Sequence, residues 1–272
     1  MLCILSALKA ESEPLINYFQ LDKDPSFNFP VFLKNDIALV AIGVGKKKIF
    51  HRINSFFLKF KKKNIYFLNI GVAGGNSKHS NIGNCYLINK IQDDLTKKKY
   101  YPDIIIKHSF EEKDIITVEN PISNESNSYY SLVDMEASEI FNTCKSLVSI
   151  HHLSFLKIVS DYIDFKNKMF DSFYIRNLIN PLLDKIGTYV FDLSFLLFEE
   201  KSILAVADSK WLKDISDSLS LTASQNQIIR YKVIGFRLKN PDKILPKNKM
   251  MIPESKQHQK QIFKKLNDQI SI

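Results

Sequence analysis

The sequence predicts an α/β protein with a largely parallel sheet, because short apolar runs alternate with glycine turns and amphipathic helices. Residues 2–7 and 65–70 are apolar runs of the length of buried parallel strands. Residues 37–42 form a third such run, which Gly43 and Gly45 follow. With 272 residues, 45% of them hydrophobic and 25% charged, the chain can bury a sizeable core.

Helices are predicted where apolar residues recur at three- and four-residue spacing. Residues 11–19 form a short helix after the first strand, and residues 46–60 form a longer one after the run 37–42. The run 65–70 ends in a glycine turn over 71–75. Ile49, Ile53, Phe56, Phe57 and Phe60 give the helix 46–60 more large apolar surface than one buried stripe requires.

Residues 134–161 bring two carboxylates together from different elements. Met135 and Glu136 are predicted to lie on an amphipathic helix, and the apolar run 155–159 predicts a buried strand with Ser160 and Asp161 at its end. Because ligands of α/β sheets bind at the carboxyl ends of the strands, we expect a small polar ligand to be held between Glu136 and Asp161.

The character of the sequence changes at about residue 201, which predicts a domain over 1–200 and a C-terminal extension of unknown role over 201–272. Residues 119–131 are rich in Ser, Asn and Glu and predict a mobile loop. Further predictions are a helix over 176–198 broken at Pro181, a strand over 203–207, a helix over 222–234 and a basic amphipathic helix over 253–270 that is separable from catalysis.

Several classes of protein are not expected. The start of the chain lacks the basic region of a signal peptide, and no segment reaches about 20 uninterrupted apolar residues, so no membrane span is expected. The three cysteines lie far apart and the histidines lack ligand spacing, which predicts a cytoplasmic protein with no metal. The net charge of +9 is spread over lysine runs among Asn and Ile, so nucleic-acid binding is not expected either.

Short motifs follow one another in a characteristic order along residues 1–165. They are Ser6-Ala7-Leu8-Lys9-Ala10-Glu11, Gly43-Val44-Gly45-Lys46, Asn69-Ile70-Gly71-Val72-Ala73-Gly74-Gly75, Ile82-Gly83-Asn84, Asp134-Met135-Glu136-Ala137 and Val159-Ser160-Asp161. In this order they resemble the nucleoside phosphorylase/nucleosidase superfamily, especially its methylthioadenosine/S-adenosylhomocysteine nucleosidases. The resemblance implies a three-layer fold with a central mixed sheet flanked by helices over 1–200, and it leaves 201–272 uncovered.

The resemblance also implies hydrolysis of the N-glycosidic bond of a purine nucleoside, with release of the free base and no cofactor. Asp161 would be the general acid directed at the purine, with Ser160 orienting it. Glu11 would polarise the attacking water. Cleavage passes through an oxocarbenium-like sugar, which explains why an acid, a nucleophile and a sugar-binding group are all needed.

Substrate binding is implied for five further residues. Glu136 would accept hydrogen bonds from the ribose hydroxyls, and the backbone of Met135 would line the sugar. The turn at Val72, Ala73 and Gly74 would let the backbone approach the ligand closely. Family members pair through the region of the helix 46–60, so a homodimer is expected.

Other interpretations stay open. Taken singly, Glu11 could favour the dipole of its helix, Glu136 could face solvent and Asp161 could cap the next segment. A phosphate-dependent phosphorylase would need a phosphate site, whereas Asn69 stands where related phosphorylases often carry an arginine. A catalytically inactive binding or regulatory protein on the same fold is the third alternative.

Overall fold

The computed structural model describes residues 1–61, 63–120, 129–163, 171–240, 243–246 and 253–270, with the side chains of 197–203 left out. Most of the predicted loop over 119–131 and of the lysine-rich stretch before residue 253 therefore lies outside the described residues. Within the described chain, no helix is long and apolar enough to cross a membrane. Cys3, Cys85 and Cys144 are buried and free of disulfides, and a cytoplasmic location stays a prediction.

A single mixed sheet forms the centre of the fold, in the order β10-β6-β8-β9-β5-β1-β4-β3-β2, with β7 paired to β6. The pairs β1–β4, β1–β5, β5–β10, β6–β8 and β8–β9 are parallel, and the others are antiparallel. The strands are β1 (Leu2–Ser6), β2 (Asp22–Lys23), β3 (Val31–Lys34), β4 (Ile37–Ala41), β5 (Tyr66–Gly74), β6 (Cys85–Asp93), β7 (Lys99–Tyr100), β8 (Glu111–Thr117), β9 (Leu132–Asp134) and β10 (Leu153–Asp161).

Strand β10 pairs with β5 on one side and with β6 on the other. Because β6 continues through β8 and β9 back to the end of β5, these five strands close into a ring. Strands β1 to β4 extend the sheet outward from β5.

Eight helices are assigned in the described part of the chain. They are α1 (Lys9–Tyr18), α2 (Lys46–Phe60), α3 (Ala137–Cys144), α4 (Ser172–Ile179), α5 (Leu183–Ile203), α6 (Val206–Leu219), α7 (Ala223–Lys239) and α8 (Lys256–Ile270).

Helices cover both faces of the sheet, which makes the predicted three-layer α/β fold. Cys3 and Leu5 on β1 belong to the core that α2 and α3 complete, and successive residues of a strand point to opposite faces. Leu2 and Ile4, on the other face of β1, are also fully buried. Helix α1 packs beside α4 and against β1, β4 and β5. The prediction of a mixed sheet flanked by helices is thus confirmed.

The structure corrects several elements. In the helix predicted over 176–198 the break at Pro181 is confirmed, because a short 3-10 segment that contains Pro181 separates α4 from α5. The bounds differ, since α4 begins at Ser172 and α5 continues to Ile203. The strand predicted over 203–207 is wrong, because Ile203 ends α5 and α6 begins at Val206. Asp208 fixes the start of α6 by accepting a hydrogen bond from the backbone N–H of Ala205 at 3.0 Å.

The glycine turn predicted over 71–75 is also wrong, since β5 runs on through Gly74. The parallel pairing with β10 continues along this segment, with Gly71 opposite Lys157 and Gly74 opposite Asp161. A strand that is hydrogen-bonded on its β10 side keeps an extended backbone even where it is rich in glycine. The glycines there serve a purpose other than turning the chain.

The chain divides into two compact units, Met1–Ser194 and Phe195–Ile272. The predicted domain over 1–200 and extension over 201–272 have a similar boundary. The roles that the sequence analysis gave to these two parts stay predictions. The second unit has a core of its own, to which Leu266 and Ile270 of α8 contribute. In the same unit Asp208, which is 1% exposed, forms an ion pair with Arg237 at 2.6 Å.

Helix α8 is therefore part of the core of the second unit, and its separability from catalysis stays a prediction. We expect Leu266→Ala to destabilise this unit by about 2–4 kcal/mol, because a buried leucine loses its packing. Hydrogen exchange of the backbone amides of α7 measures the effect, and Lys264→Ala on the exposed side of α8 is the control. Unchanged protection of α7 in Leu266→Ala would show that α8 does not stabilise this core.

Candidate active site

A cavity of about 430 Å³ opens at the carboxyl ends of β1, β5 and β10 and beside β9. This volume is within the ordinary range for small-molecule sites. Every residue that the sequence analysis singled out for the site lines it: Glu11, Val72, Ala73, Gly74, Met135, Glu136, Ser160 and Asp161. The structure thus brings the predicted residues together around one cavity.

Glu11 is held by backbone amides from two elements. Its Oε2 atom accepts hydrogen bonds from the N–H groups of Ala7 and Leu8, each at 2.9 Å. Its Oε1 atom accepts one from Val72 on β5, also at 2.9 Å. The carboxylate therefore caps its own helix and also reaches across to the cavity wall, so the helix-terminus interpretation and the site interpretation are compatible.

The surroundings of Glu11 set its proton affinity. The residue is 3% exposed, and burial raises the pKa of its carboxyl above the ordinary value, against the opposing effect of the hydrogen bonds from Leu8 and Val72. Lys157 also opposes the rise through its positive charge. A carboxylate with a raised pKa that is held by three amides can accept a proton from a water molecule in the cavity.

The glycines of β5 leave space for the two carboxylates. A Cβ atom on Gly71 would lie 3.0 Å from Oε1 of Glu11, and one on Gly74 would lie 3.2 Å from Oδ1 of Asp161. The same atom on Gly74 would lie 2.9 Å from the side chain of Ile163. Gly71 and Gly74 thus make room for side chains. The close approach of the backbone to a ligand at Val72, Ala73 and Gly74 stays a prediction.

Asp161 ends β10 with both carboxylate oxygens engaged. Oδ2 accepts a hydrogen bond from the hydroxyl of Ser160, and Oδ1 accepts one from the backbone N–H of Ile163, both at 2.7 Å. The Tyr174 hydroxyl donates to the Ser160 carbonyl at 2.7 Å. Ile163 has φ +59°, a left-handed conformation that strains a β-branched residue, and it turns the chain so that its amide meets Asp161.

Met135 and Glu136 lie just before helix α3 and not within it, which corrects the sequence prediction. The cause is Asp134, whose Oδ2 accepts a hydrogen bond from the Ala137 N–H at 2.9 Å and so fixes the start of the helix. Glu136 is the N-cap residue. Burial first, and the neighbouring charge of Asp134 second, raise the pKa of Glu136 to about 7, against the effect of Lys157.

A buried ion pair that the sequence analysis missed joins Asp134, which lines the cavity, to Lys157, which does not. The Lys157 ammonium lies 2.8 Å from Oδ2 of Asp134, with side-chain exposures of 2% and 1%. Asp134 also accepts a hydrogen bond from the Thr117 hydroxyl at 2.7 Å. The signal was a lysine within the apolar run 155–159, because a lysine in a buried strand needs a partner.

Several other cavity residues were not predicted. Asp171, Ser172 and Ile175 come from the start of α4, and Val44 and Val118 complete an apolar part of the lining. Asp171 caps α4 by accepting a hydrogen bond from the Tyr174 N–H. No group of three or more His, Cys, Asp or Glu residues placed to hold a metal ion occurs within the described ranges.

Comparison with solved structures shows the fold, whereas comparisons of the sequence find no match. No family model matches the sequence, and no curated protein does. The structure is similar to that of the 5′-methylthioadenosine nucleosidase of Arabidopsis thaliana, with 19% identity, a TM-score of 0.55 and coverage of 71% of this chain and 94% of that one.

Two bacterial structures are similar to the same degree. The 5′-methylthioadenosine/S-adenosylhomocysteine nucleosidase of Campylobacter jejuni matches with 19% identity and a TM-score of 0.53, over 68% of this chain and 96% of its own. The corresponding enzyme of Helicobacter pylori, in complex with butyl-thio-DADMe-Immucillin-A, matches with 18% identity and a TM-score of 0.55, over 70% and 97%. The chain therefore shares the fold of these nucleosidase structures over about 70% of its length, and a C-terminal extension follows.

Proposed function

We propose that this protein is a purine nucleosidase, which hydrolyses the N-glycosidic bond of a nucleoside such as methylthioadenosine or S-adenosylhomocysteine and releases the free base. The observation that carries the proposal is the meeting of Glu11, Glu136 and Asp161 around one cavity of suitable size. The fold agrees, since the similar solved structures are nucleosidases.

The proposed reaction assigns one task to each carboxyl group. As the bond from C1′ to the base breaks, the base leaves with the electron pair and Asp161 supplies a proton to it. A water molecule adds to C1′ and gives its proton to Glu11. Ser160 and the Ile163 amide hold Asp161 in place, and Glu136 accepts hydrogen bonds from the ribose hydroxyls.

The surroundings of Glu11 favour water over phosphate as the nucleophile. The amides of Ala7, Leu8 and Val72 converge as an anion site would, but the Glu11 carboxylate already accepts their hydrogen bonds. Among the described lining residues the basic one is Lys9, whose side chain is 88% exposed and pairs with Glu13 at 3.3 Å. A phosphate ion at this position would be repelled by the negative charge of Glu11, where a phosphate site would offer it a positive charge.

Base release from purified protein tests the proposal. Methylthioadenosine, S-adenosylhomocysteine, futalosine and common nucleosides are incubated with and without inorganic phosphate. We expect free base to appear without phosphate. Release only with phosphate would establish a phosphorylase, and no release from any nucleoside would favour a binding or regulatory protein.

Asp161→Asn is expected to lower the rate of base release by roughly 10²–10⁴-fold, because the amide keeps the shape of the side chain and removes the acid proton. The matched control is Asp22→Asn, which makes the same change at an exposed position of β2. Circular dichroism verifies that both variants are folded. A folded Asp161→Asn variant with the wild-type rate would remove Asp161 from the mechanism.

Glu136→Gln is expected to lower the preference for ribonucleosides over 2′-deoxyribonucleosides as well as the rate, since the neutral amide accepts hydroxyl hydrogen bonds more weakly. The ratio of kcat/KM for the two sugars measures the preference. Glu139→Gln, in the first turn of α3 and outside the lining of this cavity, is the control. An unchanged ratio in Glu136→Gln would contradict contact with the ribose hydroxyls.

We also propose a homodimer that forms through α2. Ile49, Ile53 and Phe56, which the sequence analysis counted as surplus surface, are buried within the chain. Phe50 and Leu58, on the other side of the helix, are 56% and 62% exposed. These two residues are the apolar surface of α2 that a partner can cover.

Light scattering is expected to return twice the 31.5 kDa mass of one chain, with an interface of about 1,200–2,000 Å². Replacing Phe50 and Leu58 together by Asp is expected to give monomers, while Leu95→Asp, at a site that is 68% exposed, leaves the mass unchanged. A wild-type mass of one chain at micromolar concentration would refute the dimer.

A further inference from the structure

Lys157 is the buried cation beside the cavity, and the proposed reaction gives it no task. It lies in the middle of β10, where its neighbours Leu156 and Ile158 are fully buried. A lysine with 2% exposure loses the hydration of its ammonium group, so this position is costly unless negative charge compensates it. The cost indicates that the charge is used.

The strand register places Lys157 next to Glu11. In the parallel pairing of β10 with β5, Lys157 lies opposite Gly71, and paired residues point to the same face of a sheet. The position of the absent Cβ atom of Gly71 is 3.0 Å from Oε1 of Glu11. Lys157 and Glu11 therefore occupy neighbouring space on one face of the sheet.

Asp134 anchors the ammonium group from β9. Its Oδ2 atom accepts from Lys157 at 2.8 Å and from the Ala137 N–H at 2.9 Å, while Oδ1 accepts from Thr117 at 2.7 Å. Fixed on three sides in this way, Asp134 gives the ammonium one defined position. Lys157 is thus one positive charge near three carboxyl groups, those of Asp134, Glu136 and Glu11.

We propose that Lys157 is a positioning residue whose buried ammonium, anchored by Asp134, balances the negative charges of Glu11 and Glu136 on the cavity wall. The inference deepens the proposed function and rests on it for its catalytic meaning. Lys157 itself does not line the cavity and touches no substrate.

The charged groups around Lys157 fix the sign of the expected pH effect. Asp134 faces it from β9, Glu136 from the start of α3 and Glu11 from α1, while the register partner on β6 is Tyr86. Burial lowers the pKa of Lys157, but Asp134 and Glu136 outweigh this and raise it, so the ammonium stays charged.

In return, the charge of Lys157 lowers the pKa of both Glu11 and Glu136. Removal of the Lys157 charge therefore raises the pKa of Glu11 and of Glu136. Because Glu11 must be ionised to accept a proton from water, the acid limb of the pH profile of kcat/KM moves to higher pH.

Carboxyl titration tests the charge balance without any turnover. In protein labelled with ¹³C at the glutamate carboxyls, the signals of Glu11 and Glu136 are assigned with Glu11→Gln and Glu136→Gln. We expect Lys157→Met to raise the pKa of both groups by about one unit, and Lys157→Arg, which keeps the positive charge, to restore most of it. Unchanged titration in folded Lys157→Met would overturn the inference.

Kinetics supply the second measurement, with methylthioadenosine as the probe. At pH values on the acid limb, we expect kcat/KM of Lys157→Met to be about tenfold lower than that of the wild type. The difference should disappear as the pH rises, and Lys157→Arg should remain close to the wild type at every pH. A purely structural role predicts an equal loss at every pH. An equal loss at every pH would therefore count against the inference.

A paired variant covers the case in which Lys157→Met leaves Asp134 unpaired and does not fold. Asp134→Asn together with Lys157→Met removes both buried charges, and Glu11 is still expected to titrate at higher pH than in the wild type. If the variants show raised carboxyl pKa values but the wild-type protein releases no base, the charge balance is supported and the proposed nucleosidase function is refuted. If the wild-type protein releases base but the variants titrate like the wild type, the nucleosidase function is supported and the charge balance is refuted.

Discussion

The parallel pairing of β5 with β10 is the constraint on which the rest of the site depends. It sets Gly71 opposite Lys157 and Gly74 opposite Asp161, so that each charged residue of β10 has a residue without a side chain beside it. The register shifts between Val159 and Asp161, at the point where the hydrogen bonds around Asp161 begin. A slip by one residue would turn both charged side chains to the opposite face of the sheet.

The site combines burial with compensation. Three backbone amides satisfy Glu11, a hydroxyl and an amide satisfy Asp161, and an ammonium satisfies Asp134. Such compensation is what keeps buried carboxyl groups from destabilising a fold, and it leaves their proton affinities open to adjustment by neighbours. The raised pKa of Glu136 is an example, since burial and Asp134 raise it while Lys157 restrains it.

The sequence was sufficient to predict elements in which the apolar pattern repeats over many residues, and elements that end in a recognisable motif. It predicted α2 with its observed bounds, and it placed Glu11, Glu136 and Asp161 at one rim. It failed at Gly71–Gly74, where local composition indicates a turn and the hydrogen bonds to β10 maintain a strand. It failed at α6 because a short apolar run around residue 205 is ambiguous between helix and strand. The ion pair of Lys157 could not be predicted, because its partner Asp134 lies on another strand and the two meet only in the tertiary structure.

The closed ring of strands has a consequence for how the protein is made. Until β10 arrives, the edge of β5 that faces it is unpaired over most of its length, since β9 meets β5 only at Gly74. Pairing between strands so far apart in the sequence is slow, because the long loop must close before any contact stabilises it. During synthesis the first strands therefore present an open apolar edge, of the kind that promotes association between chains, until residue 161 has left the ribosome. Closure of the ring ends this exposure and brings the carboxyl groups of Glu11, Glu136 and Asp161 together, before α4 adds the last part of the cavity lining.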